Sequence, residues 1–346
     1  MTALLPVEVC LKKLRGFAEQ VCVDQSPLYE ALCTRIADDP EVFELLRRSP
    51  LVQPGPLLFF AAIHFLLLSG DSHDLRQFYA TCTASLKPPA ESWPAFRDFC
   101  LTRELEITAI LTTRRVQTNE VRRCSYLFPL LASIQSLTPE IPLAIIEVGA
   151  SAGLNLNWDR YSYDYGLLGR FGDATSNVVI KSEAKGDFPA FTMQSLKFAD
   201  RRGIDLHPVN VDDPDQARWL QALIWPDQPE RFRLQQAAIE EFRRSPVPLI
   251  RGDALEILPA EIANAPSDAR LCIVHCHTLN QFSREGRNHF AEILRAANEK
   301  RMIHEISAEW IETPTTELRL TNYQFGRAND TLYARVDHHG RWAEWC

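Results

Sequence analysis

The feature that most constrains the fold of this chain is a short apolar run that leads directly into a glycine-rich turn. Residues 143–148 read Leu-Ala-Ile-Ile-Glu-Val, and residues 149–153 read Gly-Ala-Ser-Ala-Gly. Such a run is typical of a strand in a parallel sheet, where both faces are buried. The glycines permit a tight turn and a close approach of a ligand to the backbone. Because open α/β sheets bind ligands at the carboxyl ends of their strands, the segment predicts an α/β domain with a site at this turn.

Further apolar runs follow, with helical patterns between several of them. The predicted strands are 178–180, 209–211, 247–250, 271–274 and 302–306, and the predicted helices are 217–224, 231–242 and 287–298. Strands that alternate with amphipathic helices favour a mostly parallel sheet covered on both faces. After Pro314 the pattern predicts strands at 317–323, 331–336 and 340–345, which we expect to form an antiparallel edge of that sheet.

The first 140 residues have a helical pattern instead. Apolar residues recur at three- and four-residue spacing in 7–21, 28–36, 42–46, 57–68, 75–79, 95–111 and 125–137. Prolines between these segments mark the breaks. The chain has 346 residues, whereas a single core stops growing at roughly 250–300 residues. We therefore predict two domains, a helical one at 1–140 and an α/β one at 141–346.

The charge of the chain argues against a nucleic acid as its main partner. The net charge is -8, the wrong sign for binding a phosphate backbone. A local basic patch is conceivable at Arg114, Arg115, Arg122 and Arg123, but arginine pairs on a helix usually face solvent.

The sequence also gives expectations about location. The longest apolar run, 56–69, is shorter than the roughly 18–20 residues of a membrane span and contains His64. We see no secretion signal, and the nine cysteines form no CxxC pair, which favours reduced thiols. These features predict a cytoplasmic protein without a membrane partner, and they leave its oligomeric state open.

The glycine turn is compatible with two classes of enzyme. One is a serine hydrolase, in which Ser151 would be the nucleophile of a Gly-x-Ser-x-Gly elbow. The other is an S-adenosylmethionine-dependent methyltransferase, whose first motif has an acid two residues before the first glycine, as Glu147 is here. The elbow of hydrolases follows several strands, whereas this turn follows the first strand of the sheet, which favours the methyltransferase. A purely structural tight turn is the third interpretation.

Several motifs resemble one protein family over nearly the whole chain. They lie at 149–156, 163–166, 202–206, 225–228, 252–254 and 339–342, and the family is the one catalogued as domain of unknown function 2332. The resemblance implies a Rossmann-like, methyltransferase-type α/β sheet, mostly parallel with an antiparallel edge, and an N-terminal all-α domain. It implies no settled reaction.

The methyltransferase likeness implies a set of residues around S-adenosylmethionine. They are Glu147, Gly149, Ala150, Ser151, Gly153, Asp205, Asp253 and Ala254. The methionine part of the cofactor would lie near the glycine turn, and the adenine near Asp253. For the acid that follows the second strand we favour Asp205, with Asp164 and Asp212 as alternatives. Helix capping or a turn is the structural alternative for Asp205 and Asp253.

The run at 271–278 would be the fourth strand, where a methyltransferase places residues that face its substrate. On a strand, His275 and His277 point to the same face and Cys276 to the other. We expect one of these histidines to be the general base. A zinc site would need three or four ligands, and only a return of His338 and His339 towards this strand could supply more. No metal is therefore predicted.

Together these features predict an S-adenosylmethionine-dependent methyltransferase that acts on an unknown small-molecule or protein acceptor. The helical domain would then shape the choice of acceptor. The alternatives are a non-catalytic binding protein with the same fold and a serine hydrolase that uses Ser151. Trp158 and Trp225 could form an aromatic wall over a ligand or rigid helix junctions.

Overall fold

The fold is taken from a computed structural model that describes residues 4–70, 72–191, 196–311 and 313–346. Contacts divide the chain into two compact units. The first comprises residues up to 118 and residues 212–236, and the second comprises residues 119–211 and 237–346. The helix at Cys124–Ser136, which follows the helical pattern of the N-terminal part, thus belongs to the second unit.

Most of the predicted helices are present, with shifted ends. The helices are α1 (Val7–Gly16), α2 (Pro27–Asp38), α3 (Pro40–Leu46), α4 (Gly55–Leu68), α5 (Trp93–Thr102), α6 (Glu104–Thr113), α7 (Cys124–Ser136), α8 (Pro214–Ala222), α9 (Pro229–Arg244), α10 (Ala254–Asn264) and α11 (Arg284–Asn298). The single helix predicted at 95–111 is two helices, because the backbone of Arg103 leaves the helical conformation between α5 and α6.

The core of the first unit forms around α4. Its sequence is apolar on every side, which is typical of a fully buried helix. His64 on α4 is fully buried, and its ring hydrogen-bonds to the carbonyl of Ala222, at 3.1 Å, and to Thr81. Burial lowers the pKa of His64 to about 4, so this histidine is a neutral core residue. None of the described helices has the length and apolar character required to cross a membrane.

Residues 212–236 return to the first unit through aromatic packing. Trp225 is buried, and its ring lies 5.7 Å from that of Phe17 and 5.9 Å from that of Tyr29. Asp227 accepts hydrogen bonds from the Ser26 hydroxyl and from the backbone at the start of α2. Trp225 is therefore a core residue of this unit.

The strands of the second unit form one large sheet and one small sheet. They are β1 (Leu143–Val148), β2 (Ser162–Asp164), β3 (Arg170–Gly172), β4 (Val179–Lys181), β5 (Glu183–Gly186), β6 (Phe198–Asp205), β7 (Leu249–Arg251), β8 (Arg270–Cys276), β9 (Ile303–Glu309), β10 (Thr316–Gln324), β11 (Arg327–Val336) and β12 (Trp342–Trp345). The large sheet has the order β5-β12-β11-β10-β9-β8-β1-β6-β7, and the small one has the order β3-β2-β4.

The large sheet confirms the mixed α/β class. Strands β7, β6, β1, β8 and β9 pair in parallel, and β9 to β12 pair antiparallel. The chain therefore has a large, mostly parallel sheet and an N-terminal helical region. Strand β1 is the point where the strand order reverses: β6 and then β7 are added on one side of it, and β8 and then β9 on the other.

The strand predicted at 209–211 is wrong. The strand that pairs with β1 is instead β6, which reads Phe-Ala-Asp-Arg-Arg-Gly-Ile-Asp. Its polar residues are satisfied by ion pairs: Arg202 pairs with Asp200 and Glu261, and Arg201 pairs with Asp159. The predicted strand near 178–180 is present as β4 but belongs to the small sheet.

The two faces of β1 have different surroundings. Ala144, Ile146 and Val148 pack into an apolar cluster with residues of α10 and α11. Since side chains alternate along a strand, Glu147 points to the opposite face. Trp158 also lies in the core of this unit, with its ring 6.0 Å from Phe128.

Candidate functional site

The glycine turn (residues 149–153) has a left-handed backbone at three positions. The φ angles are 76° at Gly149, 54° at Ser151 and 72° at Gly153. The backbone N–H groups of Gly149 and Ala150 donate to the carbonyl of Ile204, at 2.8 and 3.3 Å. These bonds tie the turn to the end of β6.

The glycines of the turn are required by packing within the protein. A Cβ atom on Gly149 would overlap with the side chain of Thr278, and one on Gly153 would lie 2.9 Å from Phe242 and from Leu249. The close approach at both glycines is thus made by protein side chains. The structural interpretation of the turn accounts for these two glycines without a ligand.

Glu147 is a buried carboxyl group beside this turn. Its side chain is only 3% exposed, and its Oε2 atom has no hydrogen-bond partner among the described residues. Burial raises the pKa of Glu147 to about 8, and the charge of Asp205 adds to this effect, whereas a hydrogen bond from Asn155 and the charge of Arg123 oppose it. A buried polar atom without a partner calls for an explanation, such as an ordered water, an ion or a functional role.

Replacing Glu147 with Gln should stabilise the protein. Because the pKa of Glu147 is raised above 4.5, its favourable contribution is complete below pH 4.5 and is lost as the pH rises towards 8. The isosteric amide does not ionise, so we expect the variant to gain about 3 kcal/mol at pH 7 and little at pH 4. Chemical denaturation at both pH values measures this difference; an equal gain at both would contradict the ionisation argument.

The three aspartates considered for the acid after the second strand lie in different parts of the structure. Asp205 closes β6, and its carboxylate accepts the N–H of Ser151 and of His207, both at 2.8 Å. Asp164 instead ends β2 in the small sheet and pairs with Arg170. Asp212 lies beyond β6, in the other compact unit. The structure therefore brings Glu147, the glycine turn and Asp205 together at the carboxyl ends of β1 and β6.

Asp253 and Ala254 lie at the same edge of the sheet, just after β7. The N–H of Gly252 donates to the backbone carbonyl of Asp205 at 2.9 Å, which links the two strand ends. Asp253 is exposed, and its carboxylate accepts the N–H of Leu255 and caps α10, of which Ala254 is the first residue. The capping role anticipated for Asp253 is present.

His275 is fully buried and forms an acid–histidine cluster with the partly buried Glu305 and the buried Glu309. Its Nδ1 atom is 2.9 Å from Glu309 and its Nε2 atom 3.1 Å from Glu305. An imidazole that donates to two carboxylates is doubly protonated. Burial alone would lower the pKa of His275, but the two carboxylates outweigh burial and raise the pKa to about 9. In this arrangement His275 is an enclosed cation.

The acid–histidine cluster also holds the loop after β8. The carboxylate of Glu309 accepts the backbone N–H groups of Thr278 and Leu279 at 2.9 and 3.0 Å. The hydroxyl of Thr278 in turn donates to the carbonyl of Val148, at the start of the glycine turn. His275 is thus connected to the turn through Glu309 and Thr278, which supports a positioning role.

His277 has different surroundings from His275, contrary to the expected alternation. It follows the end of β8 and has a φ of 55°, so strand geometry does not extend to it. Its Nε2 atom lies 3.2 Å from the hydroxyl of Thr316, and its ring lies 5.4 Å from that of His338. Burial, Arg123 and His338 lower the pKa of His277 to about 2, so the ring is neutral.

His338 returns towards the end of β8 and lies beside His277. Among the described residues, no group of three or more metal-ligating side chains is arranged to hold an ion. The residues missed by the sequence analysis are Glu305, Glu309 and Thr316. The four-residue spacing of Glu305 and Glu309 places both on one face of a strand, which is the signal that could have revealed them.

Ser151 has the wrong surroundings for a nucleophile. It is 3% exposed, and its hydroxyl has no hydrogen-bond partner among the described residues, whereas an elbow serine is exposed and contacts a histidine. We expect a serine-reactive fluorophosphonate not to label it. Mass spectrometry of the wild type beside Ser151→Ala measures this, and a modification lost only in the variant would support the hydrolase.

The chain matches one family model over residues 12–345, which is nearly its whole length. The family is described as "Uncharacterized protein conserved in bacteria (DUF2332)". No curated protein matches the chain.

Proposed function

We propose that this chain, which belongs to the DUF2332 family of bacterial proteins, binds S-adenosylmethionine at the glycine turn and transfers its methyl group to a small-molecule or protein acceptor. The observation that carries the proposal is the buried carboxyl group of Glu147, whose Oε2 atom has no partner among the described residues. Such an atom, two residues before the turn, fits the ammonium group of the methionine part of the cofactor.

The topology of the sheet supports the place of the site. In chain order the parallel strands are arranged 3-2-1-4-5, as in doubly wound dinucleotide-binding folds. Ligands of such sheets bind beyond the carboxyl ends of the strands, at the point where the order reverses. The glycine turn follows β1 at that reversal.

The residues at this edge fit the chemistry of the cofactor in part. An ammonium beside Glu147 would favour the ionised carboxylate that burial disfavours. The carboxylate of Asp205 accepts the backbone N–H groups of Ser151 and His207, and a carboxylate is also the kind of acceptor that binds ribose hydroxyls. When bound, S-adenosylmethionine supplies an electrophilic methyl group, so the protein mainly has to orient the acceptor.

The two histidines then have separate tasks. His275 is enclosed and cationic, and we assign it to positioning. His277 lies at the end of β8 with a neutral ring, so we propose that it faces the acceptor and hydrogen-bonds to it; its lowered pKa makes it too weak a base to take up the acceptor's proton. The helical unit would contribute to the choice of acceptor.

The experiment that tests this proposal is a calorimetric titration with S-adenosylmethionine and its demethylated product. We expect micromolar binding by the wild type and at least tenfold weaker binding by Glu147→Gln, because the amide cannot pair with an ammonium. Glu292→Gln, an exposed glutamate on α11, is the matched control and should bind as the wild type does. A Gly153→Asp variant is less suitable because its Cβ would meet Phe242.

The outcomes separate the possible functions. No binding of either compound by the folded wild type would overturn the proposal. Binding without methyl transfer to any acceptor would favour a non-catalytic binding protein instead. Equal binding by the wild type and Glu147→Gln would show that Glu147 does not bind the ammonium group.

A further inference from the structure

Arg123 is a buried arginine with unused hydrogen-bonding capacity. It is 8% exposed and lies just before α7. Its Nε atom donates to the backbone carbonyl of His338 at 3.1 Å, and its two terminal amino groups have no acceptor among the described residues. Arginine is almost never buried without a partner, since burial of an unpaired charge is costly. The guanidinium therefore forms no ion pair with a described carboxylate, although its charge lowers the pKa of Glu147 from a longer distance.

The acid nearest in the chain to His338 does not supply an anion for Arg123. The carboxylate of Asp337 accepts the backbone N–H groups of His339 and Arg341 and two hydrogen bonds from the Arg341 side chain. Burial tends to raise the pKa of Asp337, but the bonds to Arg341 outweigh it and lower the pKa to about 2. This carboxylate is ionised and already neutralised by Arg341.

Two neutral histidines lie beside Arg123. The hydroxyl of Thr316 bridges them, at 3.2 Å from Nε2 of His277 and 2.7 Å from Nδ1 of His338. The other ring nitrogens, Nδ1 of His277 and Nε2 of His338, form no hydrogen bond with the described residues. Burial lowers the pKa of His338 as well, so Arg123 contributes the positive charge here.

An aromatic side chain flanks this group. The ring of Trp310 lies 5.7 Å from that of His338, and the residue is 47% exposed, although it directly follows a buried part of β9. A half-exposed tryptophan beside a buried cation suits a ligand with a flat or apolar part next to its charge.

We propose that Arg123, His277 and His338 form a carboxylate-binding subsite at the carboxyl end of β8. The planar guanidinium offers two parallel N–H donors, which match the two oxygens of a carboxylate. The Thr316 hydroxyl can donate to only one of the two neutral rings, and that ring carries its proton on the free nitrogen, where it adds a hydrogen bond to the carboxylate. Trp310 covers the remainder of the ligand. The carboxylate belongs either to the methionine part of S-adenosylmethionine or to the acceptor; only the first of these sources depends on the proposed function.

The test compares Arg123→Gln with the wild type, because glutamine can still donate to the carbonyl of His338 while it lacks the charge. Arg295→Gln, an exposed position on α11, is the matched control. The first set of probes is S-adenosylmethionine and 5′-methylthioadenosine, which lacks the amino-acid part. The second set is benzoate and its uncharged analogue benzamide, titrated into the protein alone and followed by saturation-transfer NMR.

Two results support the subsite and identify its source. If Arg123→Gln weakens S-adenosylmethionine at least tenfold and leaves methylthioadenosine unchanged, the carboxylate is that of the cofactor. If instead benzoate but not benzamide binds the wild type and is lost in Arg123→Gln, the carboxylate belongs to the acceptor. The second result does not require binding of S-adenosylmethionine. Failure of the proposed function can therefore be distinguished from failure of the carboxylate subsite.

The proposal is overturned if Arg123→Gln binds all four probes with the same affinity as the wild type. It is also overturned if benzoate and benzamide bind equally and S-adenosylmethionine is unaffected by the substitution. Thermal unfolding of each variant verifies its fold. Should Arg123→Gln not fold, Arg123→Lys keeps the charge without the planar pair of donors, so weaker binding of the carboxylate probes is expected, and binding equal to that of the wild type would overturn the proposal.

Discussion

Replacing His275 with Asn should lower the free energy of unfolding by about 4 kcal/mol, the range seen when one partner of a buried ion pair is removed. The substitution leaves Glu305 and Glu309 without the cation that both contact. Burial tends to raise the pKa of Glu309, but its bond to His275 and the backbone N–H groups it accepts lower the pKa overall. Chemical denaturation at pH 6 measures the loss.

The pH dependence of this effect has a definite sign. The pKa of His275 is raised from 6.5 to about 9, so its contribution to stability is complete below pH 6.5 and disappears as the pH rises through 9. The stability of the wild type should therefore fall between pH 6.5 and 9 by more than that of the variant. The shift corresponds to about 3 kcal/mol.

A matched control separates the buried cluster from histidine substitution in general. His289 lies on the exposed side of α11, 3.6 Å from Glu292. His289→Asn should change stability by less than about 0.5 kcal/mol, as surface substitutions usually do. If His275→Asn were equally mild, the acid–histidine cluster would not be the positioning element described above.

The second large effect is expected for Gly149→Ala. The new Cβ would overlap with Thr278, and the residue would be held at a φ of 76°. Overpacking and a left-handed conformation together should cost about 4 kcal/mol, enough to unfold a marginal protein. Urea denaturation or the yield of folded protein measures this cost.

Two further variants divide the cost into its parts. Gly326 has a similar φ of 74° and no atom within 4 Å of the Cβ position, so Gly326→Ala measures the conformational strain alone, about 1 kcal/mol. Thr278→Ala removes the atoms closest to the new Cβ, so the double variant with Gly149→Ala should recover at least half of the loss. No recovery would mean that backbone strain, rather than contact with Thr278, accounts for the loss.

Local pattern predicted much of the second unit. Strand β1 has the predicted bounds, since six consecutive buried positions leave a strong signal. The antiparallel pairing of β10 and β11 was also predicted. Asp205 was favoured over Asp164 and Asp212 as the acid after the second parallel strand, and it is the last residue of β6. Strand β6 was missed because its charged residues are neutralised by partners far away in the chain, such as Glu261 for Arg202.

The candidate site was predicted only in part. Glu147 and the glycine turn were found because their spacing is a local property of the chain. Arg123 was interpreted as a solvent-facing residue of a basic pair, but it is buried with a backbone carbonyl as its partner. His275 and His277 were expected to point to the same face of one strand, but the backbone leaves the strand conformation at His277.

The sequence by itself determined most of the helices, several of the strands, where the glycine turn lies and that a helical region precedes an α/β sheet. These properties depend on side-chain periodicity and backbone preference over a few residues. Only the tertiary structure decided that β6 pairs with β1, that residues 212–236 return to the first unit, and that Glu147 and Arg123 are buried without full partners. Pairing, burial and charge neutralisation depend on residues distant in the chain, and no local pattern contains them.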